Sequence, residues 1–215
     1  MTMLSMLLRN RVMSAIEAPE AMERFEDRIF DLAAMKRVEM SAEDVAGLED
    51  LAERYIRDTL RLLEACVTAA DQARAIGLFT PVVTACEQVF LRHDRRIPDE
   101  NGVFGMMCDC YVARELIASV SKQTLAIRGF PLLATDPHGE AEIIRRLIGS
   151  ELGDMLDGMV DDMFSQPAIR FSANGAYGLS GPLRASGRVS DWGASWEEQM
   201  ADYGGSLGLA LTRAA

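Results

Sequence analysis

Residues 41–76 read SAEDVAGLEDLAERYIRDTLRLLEACVTAADQARAI, and this stretch decides the fold class. Ser41 and Asp44 form a capping box, in which each side chain satisfies the other residue's backbone N–H in the first turn. Val45, Leu48, Ala52, Tyr55, Thr59, Leu62, Cys66 and Ala69 then recur at spacings of three and four, the period of one helical face. Beyond Gly47 in the second turn, no glycine or proline interrupts the pattern before Gly77. The stretch predicts one helix of about 35 residues, roughly 50 Å long at a rise of about 1.5 Å per residue. A helix of that length serves as the spine of a bundle or as one side of a coiled-coil contact.

Upstream, Met22, Phe25, Ile29 and Leu32 repeat the same spacing behind Pro19, which suits the first position of a helix running to about Val38. Glu20, Glu23, Glu26 and Asp27 load its first turns with the charge that a helix N-terminus favours. Leu4, Leu7, Leu8, Val12, Ala15 and Ile16 share one face of an earlier helix. Arg9 and Arg11 on the other side fit an interfacial membrane helix, but two basic residues are weak support. Docking on the protein's own core or on a partner subunit is the stronger expectation. A secretory leader puts its charge before a long apolar run, and here a short run comes first. No window reaches about 18 apolar residues, so no transmembrane helix is expected.

Downstream, Thr80-Pro81 predicts the start of a fourth helix carrying Val82, Cys86, Val89 and Phe90 and stopping near His93. Turn formers between Ile97 and Gly102 separate it from a fifth helix, from about Val103 to Arg128, ended by Gly129 and Pro131. Met106, Cys110, Ala113, Ile117 and Val120 mark the buried face of that helix. Asp136-Pro137 caps a sixth, striped by Ile144, Ile148, Leu152, Met155, Met159 and Met163, with a break at Gly149-Ser150. Gly149, Gly153 and Gly158 interrupt this pattern at about 1 kcal/mol each relative to Ala, which a close helix–helix approach would offset.

After Phe164 the composition changes. Eight of the 17 glycines fall in residues 165–215, and the apolar periodicity fades. A short helix is expected near Ser195–Tyr203. Trp192, Trp196 and Tyr203 are costly to leave in water, so this arm should dock on its own bundle or on a neighbouring subunit. The expected fold is therefore all-α: a bundle of about six helices over residues 1–164, one of them long, then an irregular Gly-rich arm over residues 165–215 with one or two short helices.

The totals limit the function. The net charge of -11 repels phosphates and argues against nucleic-acid binding over a broad surface. Four cysteines in 215 residues do not make a disulfide framework, which points to the cytoplasm or to a particle assembled there. Lys36 and Lys122 are the only lysines, an arginine skew that fits a GC-rich bacterial genome or its phage.

Four constellations carry residue types capable of chemistry. Cys86, His93, Cys108 and Cys110 have zinc-binding atoms, but their spacing follows no zinc pattern, and an antiparallel pairing of helices four and five puts Cys86 opposite Asp109 or Cys110 with His93 about two turns away. Buried structural thiols are expected instead. Glu151, Asp154, Asp157 and Asp161 share one helical face and make a candidate metal or acid–base stripe, weighed against a solvated face opposite the methionines. Arg92, His93, Arg95 and Arg96 form a basic turn suited to a phosphate or to a partner's carboxylates. His138 and Glu142 make only a weak metal pair. No Rossmann, P-loop or nucleophile-elbow motif is present.

These readings lean away from an enzyme. The leading expectation is a non-enzymatic protein-interaction or assembly protein, self-associating or binding another protein, with no cofactor expected. The alternative is a helical enzyme or ligand-binding protein whose pocket uses the acidic face at 151–161 or the basic turn at 92–96.

Overall fold

A computed structural model of the chain describes residues 3–72, 76–91, 96–99, 102–129 and 141–174. Among the described residues every regular element is a helix: α1 (Met3–Glu17), α2 (Pro19–Lys36), α3 (Ala42–Gln72), α4 (Ile76–Leu91), α5 (Val103–Arg128), α6 (Ala141–Ile148), α7 (Ser150–Phe164) and α8 (Pro167–Asn174).

The capping box at the head of α3 is formed as expected. Asp44 N–H donates to Ser41 Oγ at 3.2 Å, and Ser41 N–H donates to Asp44 Oδ2 at 2.9 Å. The helix that follows has 31 residues. It is not the centre of the fold, however. That place belongs to α5, where every residue from Gly102 to Arg114 is buried. The helices α3, α4, α7 and α8 pack around it. The pattern of five buried positions expected on α5 understates it, because Val103, Phe104, Met107, Cys108 and Val112 are apolar on the remaining sides and are buried too. A helix that is apolar all round is stable only inside, whereas α3 keeps one charged face for water.

The two charged side chains carried into the centre by α5 both have polar or aromatic partners. Asp109 faces Arg11 of α1 at 3.5 Å. Arg114 donates from Nε to Thr59 Oγ1 at 2.8 Å and lies 4.2 Å from the centroid of the Tyr55 ring, both residues of α3. α1 docks on this core through Leu8, Val12, Ala15 and Ile16, all buried. Among the described residues no helix is long and apolar enough to cross a membrane.

Two boundaries differ from expectation, and one break forms where it was expected. α4 begins at Ile76, so Pro81 stands inside the helix rather than at its start. Its missing N–H removes one ladder bond in the second turn. The break expected at Gly149-Ser150 is formed: Gly149 divides the sixth helix in two, with φ +91° and ψ +157°, a conformation essentially confined to glycine. The break resets the helical phase. The buried face of α7 becomes Gly153, Leu156, Val160 and Met163, while Leu152, Met155 and Met159 from the expected stripe are only partly buried. Lastly, α8 packs against α4 and α5 with Ile169 buried, so the first ten residues of the expected arm belong to the bundle.

Candidate functional site

The corner between α6 and α7 is held by Arg145. Its side chain passes over Gly153, where an added Cβ would stand 2.9 Å from Arg145 Nη1 and 3.0 Å from Cζ. Beyond that crossing it donates from Nε to Asp157 Oδ2 at 3.0 Å and from Nη2 to Asp154. Gly153 is thus the glycine whose lost helix propensity is offset by a close approach. Asp157 also accepts from the Tyr111 hydroxyl of α5 at 2.7 Å. Burial, then the Asp157 carboxylate, pushes the Tyr111 phenol above its ordinary range. Burial opposes the Arg145 charge, but the bonds from Asp157 and Asp154 outweigh it and raise the guanidinium's affinity for its proton.

This geometry answers the acidic stripe. Glu151, Asp154, Asp157 and Asp161 run along one side of α7 over about 15 Å of axis, so they cannot converge on one ion. Asp154 and Asp157 are turned to Arg145 instead. Among the described residues no three His, Cys, Asp or Glu side chains come together in a metal-holding group. His93 and His138 lie outside the described residues. Cys86, Cys108 and Cys110, with Cys66, are free and buried. Cys86 Sγ donates to the Ala113 carbonyl at 3.7 Å, so helices four and five pair nearly one turn away from the expected register. Burial pushes the Cys66 and Cys110 thiols up to about 12, and it drives Cys86 and Cys108 in the same direction.

Of the basic turn, only Arg96 is among the described residues; Arg92, His93 and Arg95 lie outside them. Arg96 is at the edge of an open cleft of about 1370 Å³ between the second half of α2, the 96–98 turn, α6 and the first turn of α7. The walls bring together Arg28, Lys36, Arg37, Arg96, Arg145 and Arg146, six basic side chains beside four carboxylates: Glu142 and Glu151 in the lining, and Asp154 and Asp157 held by Arg145. The whole chain has 22 basic and 33 acidic residues, so the cleft reverses the overall balance. Between the charges the lining is apolar: Leu32, Met35, Pro98, Ile148, Leu152 and Met155. Met35 is 75% exposed, a large apolar side chain left facing solvent.

Local structure places these cations for identifiable reasons. Arg28 lies over the Phe104 ring, 3.8 Å from its centroid, which fixes it at the root of α2's exposed face. Arg146 pairs with Glu142 one turn back on α6. Arg37 ends α2 in the left-handed region at φ +55°, donating its N–H to the Ala34 carbonyl at 3.1 Å while Val38 N–H reaches Ala33 at 2.9 Å. Glycine is the usual residue there, and a side chain with a Cβ costs about 1 kcal/mol or more. An arginine in that position retains a charge at the mouth of the cleft at the expense of stability. The α7 N-terminus opens on the same cleft at Gly149 and Ser150, with no side-chain cap.

From the sequence, Arg96, Glu142 and Glu151 stand out among the residues of this region, each as part of a different constellation. Arg28, Lys36, Arg37, Arg145 and Arg146 do not. The available signal was two adjacent basic pairs, Lys36-Arg37 and Arg145-Arg146, in an acidic chain, but a pair has no meaning until the fold shows what it faces. The expected interaction residues Trp192, Trp196 and Tyr203 lie outside the described residues. No protein-family model, no curated protein and no solved structure matches this chain.

Proposed function

We propose that this protein is a non-enzymatic helical interaction protein that receives an acidic, amphipathic segment of a protein in the cleft between α2, α6 and α7. One observation carries the reading: six basic side chains, of which Arg145 and Arg146 also hold Asp154, Asp157 and Glu142, line an apolar cleft in a chain whose net charge is -11. A surface with both features selects a partner with carboxylates on one face and apolar side chains on the other. Asp154 and Asp157 of the acidic stripe are paired with Arg145, and the four thiols are buried in the core. The partner is a second copy of the chain or another protein.

The test is fluorescence anisotropy of the full chain with a labelled synthetic helix carrying glutamates on one face and leucines at helical spacing on the other. Saturable binding is expected, weakening as ionic strength rises past about 0.15 M. The triple variant Lys36→Glu/Arg37→Glu/Arg146→Glu should bind at least about tenfold more weakly, a loss of about 1.4 kcal/mol or more. Equal affinity for both proteins, or affinity indifferent to salt, rejects the cleft as the docking surface.

A second reading is favoured by Arg96 and the uncapped start of α7 on the same wall. These suit the phosphate of a small ligand. Thermal stabilisation of the protein by phosphorylated metabolites, in the absence of any affinity for the acidic helix, would favour it.

A further inference from the structure

We propose that the cleft's resident occupant is the chain's own segment 191–203, docked in cis. The inference rests on the reading that the cleft receives an acidic amphipathic segment, and it identifies that segment. Residues 191–203 read DWGASWEEQMADY. Asp191, Glu197, Glu198 and Asp202 are acidic, and the stretch contains no basic residue. Trp192, Trp196, Met200 and Tyr203 follow at spacings of four, four and three, which puts them on one side of a helix. Carboxylates on one side and aromatic side chains on the other are the complement of the cleft, where Lys36, Arg37 and Arg146 surround Leu152, Met155 and the exposed Met35.

The reach is sufficient. α8 ends at Asn174, and the 16 residues 175–190 separate it from Asp191. That length spans up to about 50 Å at roughly 3.3 Å per residue. α7, whose first turns line the cleft, is 15 residues or about 22 Å long, and the 8 residues of α8 add about 12 Å, so the end of α8 lies within the tether's length of the cleft. A tether of this kind holds its end at an effective concentration on the order of millimolar. At the micromolar concentrations at which such a chain is handled, the segment on the same chain outcompetes the segment of a second copy. An external partner then binds by displacing residues 191–203.

Trp192 and Trp196 are the chain's two tryptophans, so intrinsic emission reports on this segment alone. In the full chain the emission should lie to the blue of solvated indole and resist acrylamide, independently of protein concentration. Both Lys36→Glu/Arg37→Glu/Arg146→Glu and Glu197→Lys/Glu198→Lys should shift the emission to the red and restore quenching, with helical circular dichroism unchanged. Combining the two sets should recover protection, because the charges are complementary again. Solvated tryptophans in the unaltered chain overturn the proposal, as does protection that survives reversal of the cleft. Protection that appears only as chains associate overturns docking in cis and assigns the cleft to a second copy.

The labelled acidic helix separates this proposal from the reading beneath it. The variant Trp192→Ala/Trp196→Ala should bind that helix at least about tenfold more tightly than the unaltered chain, because the resident competitor is weakened. Equal, measurable binding to both rejects residues 191–203 as the occupant and leaves the cleft reading in place. Binding to neither rejects both.

Discussion

Replacing the three glycines around the α6–α7 corner by alanine, one at a time, separates three physical effects that the sequence alone treats as the same. Gly158 lies in the interior of α7, exposed, and an added Cβ would meet nothing within 4 Å. Gly158→Ala should therefore stabilise the protein by the full helix-propensity difference, about 1 kcal/mol. Gly153 has the same propensity to gain. Its Cβ, however, would stand 2.9 Å from Arg145 Nη1, 3.0 Å from Cζ and 3.3 Å from Cγ. The guanidinium can move away only by leaving Asp154 and Asp157. Those pairs are partly exposed, with side-chain exposures of 32% for Arg145, 74% for Asp154 and 41% for Asp157, so each contributes at most about 1 kcal/mol. Cγ, close to the backbone, stays crowded in addition. Gly153→Ala should consequently fall between no change and a loss of about 1 kcal/mol. Gly149 has open space for a Cβ but a backbone at φ +91°, and Gly149→Ala should lose about 1–3 kcal/mol from strain alone. Urea unfolding followed by far-ultraviolet circular dichroism, at constant m, resolves this order, as do thermal midpoints at roughly 2–4 °C per kcal/mol. In an Arg145→Ala background, Gly153→Ala should recover about 1 kcal/mol, the coupling expected of side chains in contact. If Gly153→Ala stabilises as much as Gly158→Ala, Arg145 does not cross Gly153 and the account of the corner is wrong.

Two further outcomes follow from the same structure. Arg37→Gly should raise stability by about 1 kcal/mol by relieving the left-handed backbone at the end of α2, while weakening binding of the acidic helix several-fold; a variant that is no more stable shows that Arg37 is unstrained. The four thiols should resist a thiol reagent in the native protein and react at once in denaturant, and stability should fall in strongly alkaline solution. Burial raises the Cys66 and Cys110 thiols from the ordinary 9.0 to about 12 in the folded chain, so their contribution is complete below about pH 9 and is lost as pH climbs towards about 12. Rapid labelling of the native protein at pH 9 would contradict the burial of those cysteines.

Local features were legible wherever the chemistry is contained within a few residues. Ser41 and Asp44 sit three apart, and the capping box follows from that spacing in any fold. Pro19, Gly129 and the break at Gly149 act on their own backbone and could be read directly. The all-helical class follows from apolar spacings of three and four repeated from Met22 to Val120. The centre of the fold was harder to see. The 31 residues of α3 advertise themselves by length and by a clean amphipathic stripe, whereas α5 is apolar on nearly every side and so shows weak periodicity, the signature of a fully buried helix. The phase of α7 was misread because a single backbone conformation at Gly149 rotates everything after it.

The stretch from Ser41 to Gln72 determined by itself that this is a helical protein, because capping and periodicity are properties of neighbouring residues. Tertiary structure alone decided what lies at the centre and where a partner can bind. Lys36-Arg37 on α2, Arg96 in a turn and Arg145-Arg146 on α6 are separated by dozens of residues, and each looks like an ordinary solvated charge. Packing α2, α6 and α7 each against α5 brings them to one cleft, where their fields add over an apolar lining. That sum depends on distance through space, and sequence spacing carries no information about it.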